Sequence, residues 1–333
     1  MTGRLKICVF GAGAIGGSIA VRLSRGDAEV SVIARGAQAR AIQQSGLILL
    51  SGQQRFSAQP LCVDTPSALP PQDIVIVAVK DTQLAAIAEP LAGLLRPDTR
   101  VVFAINGIPW WFGDAMPQAM PAALTERLDP GGRLRHLAGM SVVAWAVVHS
   151  SNHVVEPGVI LNTTPQRNKL VIGKPDNGTD PVIDTLLGLL RGGGYEAVAA
   201  TDIRAEIWNK MLLFVGVSPV CALTGGNLRD MVNDPACHAV MSAVMREGLA
   251  LGQRLGFDLP DRTEAWLDLY RDKPVRPSLL QDFESGREPE LDNGILAFRT
   301  IALAQGFDVP IMSAIAALIG MKRQCAIKTW HKT

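Results

Sequence analysis

Cysteine is scarce in this chain of 333 residues. Cys8, Cys62, Cys221, Cys237 and Cys325 are scattered and form no Cys-x-x-Cys pair. An odd number at wide spacing excludes a disulfide framework and a cysteine zinc site. It predicts reduced, mostly buried thiols in a cytoplasmic protein. Ligand spacing is also missing among His136, His149, His153, His238 and His331. His149 and His153 are four apart, but they fall in a predicted strand and turn rather than on one helix face, so no metal is expected. Charge of one sign is lacking too. The 32 Lys and Arg residues stand against 31 Asp and Glu, net +1, with no block of like charge. That argues against a nucleic-acid partner and against an electrostatic tail. Long hydrophobic runs are absent: Met211 to Leu223, the longest without a charge near its middle, falls short of the roughly 18 residues a membrane span needs. No membrane partner is expected. The apolar run after Arg4 and Lys6 is interrupted by Gly11, Gly13, Gly16 and Gly17, which argues against a secretory leader.

Hydrophobic residues make up 48% of the chain and charged residues 19%. This composition excludes disorder and predicts a large core, and the length suggests about two domains. The first half alternates short β-like runs (Lys6–Phe10, Glu29–Ile33, Ile74–Val79, Val101–Ile105) with helical ones (Ile15–Leu23, Ala37–Gln44, Gln83–Leu95). Ile74–Val79 is apolar on both faces, as a central parallel strand is. Alternating strand and helix implies right-handed crossovers and a parallel sheet. Val142–Val148 and Val154–Leu161 read as further strands on the edge of that sheet. After Thr201 the β pattern nearly disappears, and Asp202–Val217, Ala236–Leu255, Thr263–Tyr270 and Leu291–Gln305 read as helices. Gly256 and Gly306 each follow a helical run and precede Phe-Asp-x-Pro, a helix-stop pattern. The expectation is an α/β domain over residues 1–200, with a Rossmann-type doubly wound sheet, followed by an all-α domain over 201–333.

Gly11-Ala12-Gly13-Ala14-Ile15-Gly16 matches G-x-G-x-x-G, after a predicted strand and opening a predicted helix. Gly11 would make the tight turn, Gly13 would let the backbone approach a pyrophosphate, and Gly16 would let helix and strand pack closely. The helix N-terminus would meet the phosphates. The next strand ends at Ala34-Arg35, where an NAD enzyme usually carries Asp or Glu. A guanidinium suits a 2′-phosphate, so NADP is expected over NAD. Gln38 and Arg40 are close enough in sequence to share that phosphate. Lys80 and Asn106 end two predicted strands, on the side where ligands sit in such sheets. Trp110-Trp111 reads either as a hydrophobic wall or lid, or as a packed loop.

In the helical half, Lys210 lies in the apolar run Ile207–Phe214. It could snorkel to solvent, sit in a cleft, or pair with Glu206 one turn before it. Glu290 follows Pro289 at the start of a predicted helix, where a carboxylate complements the helix dipole. Ser278 follows Pro277 and could be an N-cap.

These pieces resemble the ketopantoate reductases (2-dehydropantoate 2-reductases) over nearly the whole chain. The residues that carry the resemblance are Gly11–Gly17, Ala34-Arg35-Gly36, Val77–Lys80, Asn106-Gly107, Ile203–Lys210, and Pro277–Asp282 with Glu290 twelve after Ser278. The resemblance implies NADPH-dependent reduction of the 2-keto group of ketopantoate to pantoate, a step towards coenzyme A, in a cleft between the two domains. It implies Lys210 as general acid, and Glu290 at the substrate hydroxyl region orienting Lys210. Asn106 would bind at the nicotinamide–substrate junction, Ser278 the substrate carboxylate, and Arg35 and Lys80 the cofactor. Two positions depart from the family. Relatives usually carry substrate-facing asparagines four and eight residues after the lysine; here these are Phe214 and Ser218, of which Ser218 keeps a hydroxyl for the substrate. Asn293-Gly294 also comes three residues after Glu290 instead of five. The departures admit a paralogous reductase of a bulkier 2-keto acid or, in a different class, a non-catalytic NADP-binding sensor. A homodimer is compatible with all three readings.

Overall fold

The computed structural model describes residues 3–116, 119–139 and 141–330. The chain divides into two compact units, Met1–Asn106 with Asp129–Glu206, and Gly107–Leu128 with Ile207–Thr333.

The first unit holds twelve strands among the described residues. They are Leu5–Phe10 (β1), Ala28–Ile33 (β2), Leu47–Ser51 (β3), Gln54–Ala58 (β4), Leu61–Val63 (β5), Ile74–Val77 (β6), Arg100–Phe103 (β7), Val142–Val148 (β8), Asn152–Glu156 (β9), Val159–Asn162 (β10), Lys169–Gly173 (β11) and Glu196–Ala199 (β12). Eight form one sheet in the order β12-β11-β8-β7-β6-β1-β2-β5. The six strands from β8 to β5 run parallel, while β11 meets β8 antiparallel. All four residues of β6 are buried, as its unbroken Ile-Val-Ile-Val run requires of a central strand. Helices Ala14–Leu23 (α1), Gly36–Ser45 (α2) and Leu84–Ala92 (α3) supply the crossovers. The reading of Val154–Leu161 as one strand on this sheet is corrected. Gly158, with φ of +82°, turns the chain there, and β9 and β10 belong to a second sheet, β4-β3-β10-β9. Its β3–β4 hairpin turns at Gly52 and was not visible as strand, because Gln54–Ala58 is largely solvated.

Helices Ala122–Leu128 (α4) and Arg133–Ala138 (α5) follow β7, and Pro181–Gly192 (α6) precedes β12. The second unit is helical: Ile203–Thr224 (α7), Leu228–Asn233 (α8), Pro235–Arg254 (α9), Thr263–Asp268 (α10), Ser278–Glu284 (α11), Ile295–Ala304 (α12) and Pro310–Trp330 (α13), with α4 added and the first turn of α7 counted in the first unit. Asp202 starts α7 by accepting hydrogen bonds from the backbone N–H groups of Arg204 and Ala205. The helix continues seven residues past its expected end, through Pro219. By length and composition it could cross a bilayer, yet most of its most apolar stretch is buried within the fold.

A single cut at residue 200 does not describe this division, because Gly107–Leu128 leaves the strand array for the second unit. Aromatic burial explains the departure. Phe112 stacks on Trp208 at 5.8 Å and meets Phe257 edge-on at 5.9 Å, and Trp208 stacks on Phe298 at 4.0 Å. Trp110 and Trp111 are buried beside them, so the packed-loop reading holds and a mobile lid does not. Cys8, Cys62 and Cys221 are buried free thiols, and desolvation pushes Cys8 and Cys221 up to about 12.

Candidate active site

In the first unit the site begins with register. Phe103, Val77, Phe10 and Ile33 lie side by side on β7, β6, β1 and β2. Each is the last residue of its strand. Asn106 and Lys80 therefore follow their strands by the same three residues, the glycine turn starts one residue after β1, and Arg35 comes two after β2. Lys80 and Asn106 do not end strands, as expected from their apolar runs, because pairing stops at Val77 and Phe103. All four features still leave the sheet at one carboxyl edge, in spatial order. In a parallel sheet that edge is where ligands bind.

The glycines differ in what holds them. Gly11 has φ of +101°, and a Cβ there would press on Ala78 and Val79. Its N–H donates to Ile33 O at 3.0 Å. A Cβ on Gly16 would lie 2.0 Å from Gly11 O, so the helix can approach the strand only without one. Gly13 is different: it has φ of −79°, and a Cβ there would meet no protein atom within 4 Å. The fold leaves Gly13 free to be any small residue, and the space beside it suits a ligand. Gly13 also stands at the N-cap of α1 and gives that helix no side-chain cap, which leaves N–H groups for an anion.

Arg35 is exposed and caps the start of α2 with extended backbone, its carbonyl accepting from Ala39 N–H at 3.4 Å, while its side chain makes no hydrogen bond or ion pair among the described residues. Gln38 is occupied instead: its amide donates to Ala12 O at 2.7 Å and accepts from Gly158 N–H at 3.0 Å. The suggestion that Gln38 shares a phosphate is corrected, since it braces the glycine turn against the β9–β10 turn.

In the second unit α7 carries Lys210, Phe214 and Ser218 one turn apart on one face. Burial pulls the Lys210 ammonium down from its ordinary 10.5 to about 8. By surface area the whole side chain is only half-buried, so the desolvation falls on its charged end. The helical ion pair with Glu206 does not form; Glu206 makes no side-chain bond among the described residues.

Glu290 does not open a helix. It lies outside any helix or strand, five residues before α12, half-buried, while nearby Glu288 is exposed. The intervening turn, Leu291–Gly294, is fixed at consecutive residues. Asn293 O accepts from Ile108 N–H at 2.9 Å. Gly107, with φ of +108°, lies so close that a Cβ would be 2.1 Å from Asn293 Nδ2. A Cβ on Gly294 would be 3.1 Å from the Phe214 ring. One turn therefore joins the Lys210 helix, the approach to Glu290 and the segment that begins one residue after Asn106. Sequence reasoning missed Asn293-Gly294 as a structural joint, although Gly107 after Asn106 was a signal for close approach. Ser278 is the exposed first residue of α11, whose cap is Pro277, so the N-cap reading is corrected. Ser218 is buried, and α11 shares a core with the second half of α7 through Leu280, Val217 and Val220. No group of three or more His, Cys, Asp or Glu residues could hold a metal among the described residues.

Comparison with known proteins adds a relationship to this geometry. Residues 7–177 match the family model of ketopantoate reductase PanE/ApbA, and residues 202–323 match that of its C-terminal part. A 2-dehydropantoate 2-reductase from Mesorhizobium japonicum is 32% identical over 317 residues, covering 95% of this chain and 97% of its own. The solved structure of a Ralstonia solanacearum protein, proposed to be a ketopantoate reductase, is 32% identical over 97% of this chain and 99% of its own, with a TM-score of 0.84. A D-mandelate dehydrogenase solved with NADH and anilino(oxo)acetate shares the fold at 18% identity, covering 97% and 99% of the two chains, with a TM-score of 0.78.

Proposed function

The chain belongs to the ketopantoate reductase family, oxidoreductases that act on CH–OH groups with a nicotinamide cofactor, and on that basis we propose that it reduces ketopantoate to pantoate with NADPH. The desolvated Lys210 ammonium is the observation that carries this reading, because keto reduction needs a proton donor at the oxygen. When bound, the dihydronicotinamide supplies a hydride to the keto carbon. Lys210 gives a proton to the keto oxygen, so the C=O bond becomes CH–OH, and the neutral amine is reprotonated from water. A pKa near 8 keeps the side chain mostly charged at neutral pH, yet makes it a better acid than an ordinary lysine. The same charge stabilises the developing alkoxide. Glu290 orients Lys210 and binds the substrate hydroxyl region, Asn106 binds where nicotinamide and substrate meet, and Ser218 and Ser278 contact the substrate, Ser278 at its carboxylate.

The glycine turn and the strand end beside it support the cofactor assignment. Space beside Gly13 and uncapped N–H groups at α1 suit a pyrophosphate, with Ala12, Ala14 and Ile15 completing the turn. Arg35, unengaged at the adjacent strand end, suits a 2′-phosphate, and Lys80 completes the phosphate-side charge. Phe214 supports a second reading, in which a bulkier apolar 2-keto acid is preferred: on the Lys210 face the next turn presents an aromatic ring rather than an amide. A hydrophobic wall discriminates only about 10–200-fold for or against a small group.

The test is consumption of NADPH by the purified protein with ketopantoate, pantoate being identified as product, beside a panel of branched and aryl 2-keto acids. Fast turnover with ketopantoate, and an Arg35→Ala loss of about tenfold or more in NADPH affinity with NADH unaffected, is expected. Preference for an aryl 2-keto acid by more than about tenfold would select the second reading. NADPH binding with no turnover of any 2-keto acid would point to a sensor.

A further inference from the structure

Asp292 stands two residues after Glu290, on the turn that leads into α12. Two arginines from distant parts of the chain converge on it. Arg323 of α13 donates to Asp292 Oδ2 at 2.8 Å and to Oδ1 at 3.5 Å. Arg127 of α4 reaches Asp292 Oδ1 at 3.3 Å. All three side chains are partly exposed, so the cluster contributes little to stability, on the order of 0–1 kcal/mol per pair. Its effect is geometric. Neighbouring residues of the turn are also held, Asn293 by Ile108 and Gly107, and Gly294 by Phe214. Glu290 is two residues from the clamp, within about 7 Å along the chain, so the clamp fixes the main chain from which its side chain extends.

We propose that Asp292, held by Arg127 and Arg323, is a positioning residue for Glu290, and that through Arg127 it ties Glu290 to the segment Gly107–Leu128 that follows Asn106. This rests on the reading of Glu290 as a catalytic residue. The clamp acts on orientation, so its loss falls on kcat rather than on cofactor binding.

The experiment measures kcat, KM for ketopantoate and NADPH, and thermal midpoint for Asp292→Asn in the wild-type and Glu290→Gln backgrounds. Expected is a fall in kcat of about tenfold with the NADPH KM within about twofold, vanishing in the Glu290→Gln background because the two residues act as one unit. The proposal is overturned if Asp292→Asn keeps kcat within about twofold, or if the same fold-loss recurs in Glu290→Gln. Should Asp292→Asn fail to fold, Arg127→Gln is judged by the same rule, with an expected fall of about threefold because Arg323 remains. A Glu290→Gln enzyme as active as wild type would instead sink the site reading, and the Asp292 role with it. That outcome differs from an impaired Glu290→Gln enzyme on which Asp292→Asn acts independently, which overturns the Asp292 role alone.

Discussion

The sheet edge of the first unit and the Lys210 face of the second are built by opposite means. At the sheet edge the surface proposed to hold the cofactor is mostly backbone: a turn of glycines and helix N–H groups, with side chains leaving the sheet beside them at matched register. On α7 it is side chains, with Lys210, Phe214 and Ser218 on one face and Glu290 carried on a turn that other residues pin. A glycine turn is intolerant of added atoms and depends on the size of its residues rather than on their functional groups. A side-chain site tolerates changes of shape around it but depends on which groups stand there and how water is kept from them. The positions read from the sequence as departures from the family lie on α7, at Phe214 and Ser218, and on the turn after Glu290, while the glycine turn matches G-x-G-x-x-G.

The largest effect that would sharpen this contrast is Gly16→Ala. Its Cβ would sit 2.0 Å from Gly11 O, which backbone movement alone can relieve. A loss of about 3 kcal/mol in folding stability is expected from denaturant unfolding. A loss below about 1 kcal/mol would show that the turn is softer than the packing implies. Gly13→Ala should separate fold from function in the same turn. Since its Cβ meets no protein atom, stability should stay within about 0.5 kcal/mol. NADPH affinity by fluorescence titration should drop about tenfold or more, roughly 1.4 kcal/mol. Unchanged affinity would remove the pyrophosphate from beside Gly13. A comparable effect tests the helical face. A desolvated Lys210 costs stability while it is charged, so Lys210→Met should raise stability at pH 7 by roughly 1–2 kcal/mol. The sign follows from the lowered pKa. Between about pH 8 and 10.5 the unfolded chain binds more protons, so wild-type stability rises with pH across that window and the advantage of methionine shrinks. An advantage that is constant with pH would place its origin in packing rather than charge.

Much of the sheet edge was legible in the sequence, because alternating strands, a glycine turn and strand-terminal polar residues are local patterns. Strand ends were overestimated at Val79 and Ile105, since apolar composition continues past the last ladder hydrogen bond. The second sheet was missed because its strands are short and half-solvated. The helical site was legible only through resemblance. Nothing in the spacing of Lys210, Ser278 and Glu290 marks them as partners, and local rules offered each a bland role: an ion pair with Glu206, an N-cap, a first-turn carboxylate. None of those three local roles is realised. What decides them is packing between segments far apart in the chain, such as Gly107 against Asn293 and Phe214 against Gly294, and such contacts leave no periodic trace.

The pH dependence of kcat for NADPH-driven ketopantoate reduction, measured for wild type beside Lys210→Ala, tests most directly whether Lys210 is the proton donor. A lysine titrating at about 8 must be charged to act, so the wild-type rate should be level below that pH and fall as pH rises through it. Lys210→Ala should be slower by about 10²–10⁴-fold at pH 7 and lack that fall. A Lys210→Ala enzyme that keeps both the rate and the basic limb of the wild type would contradict the assignment.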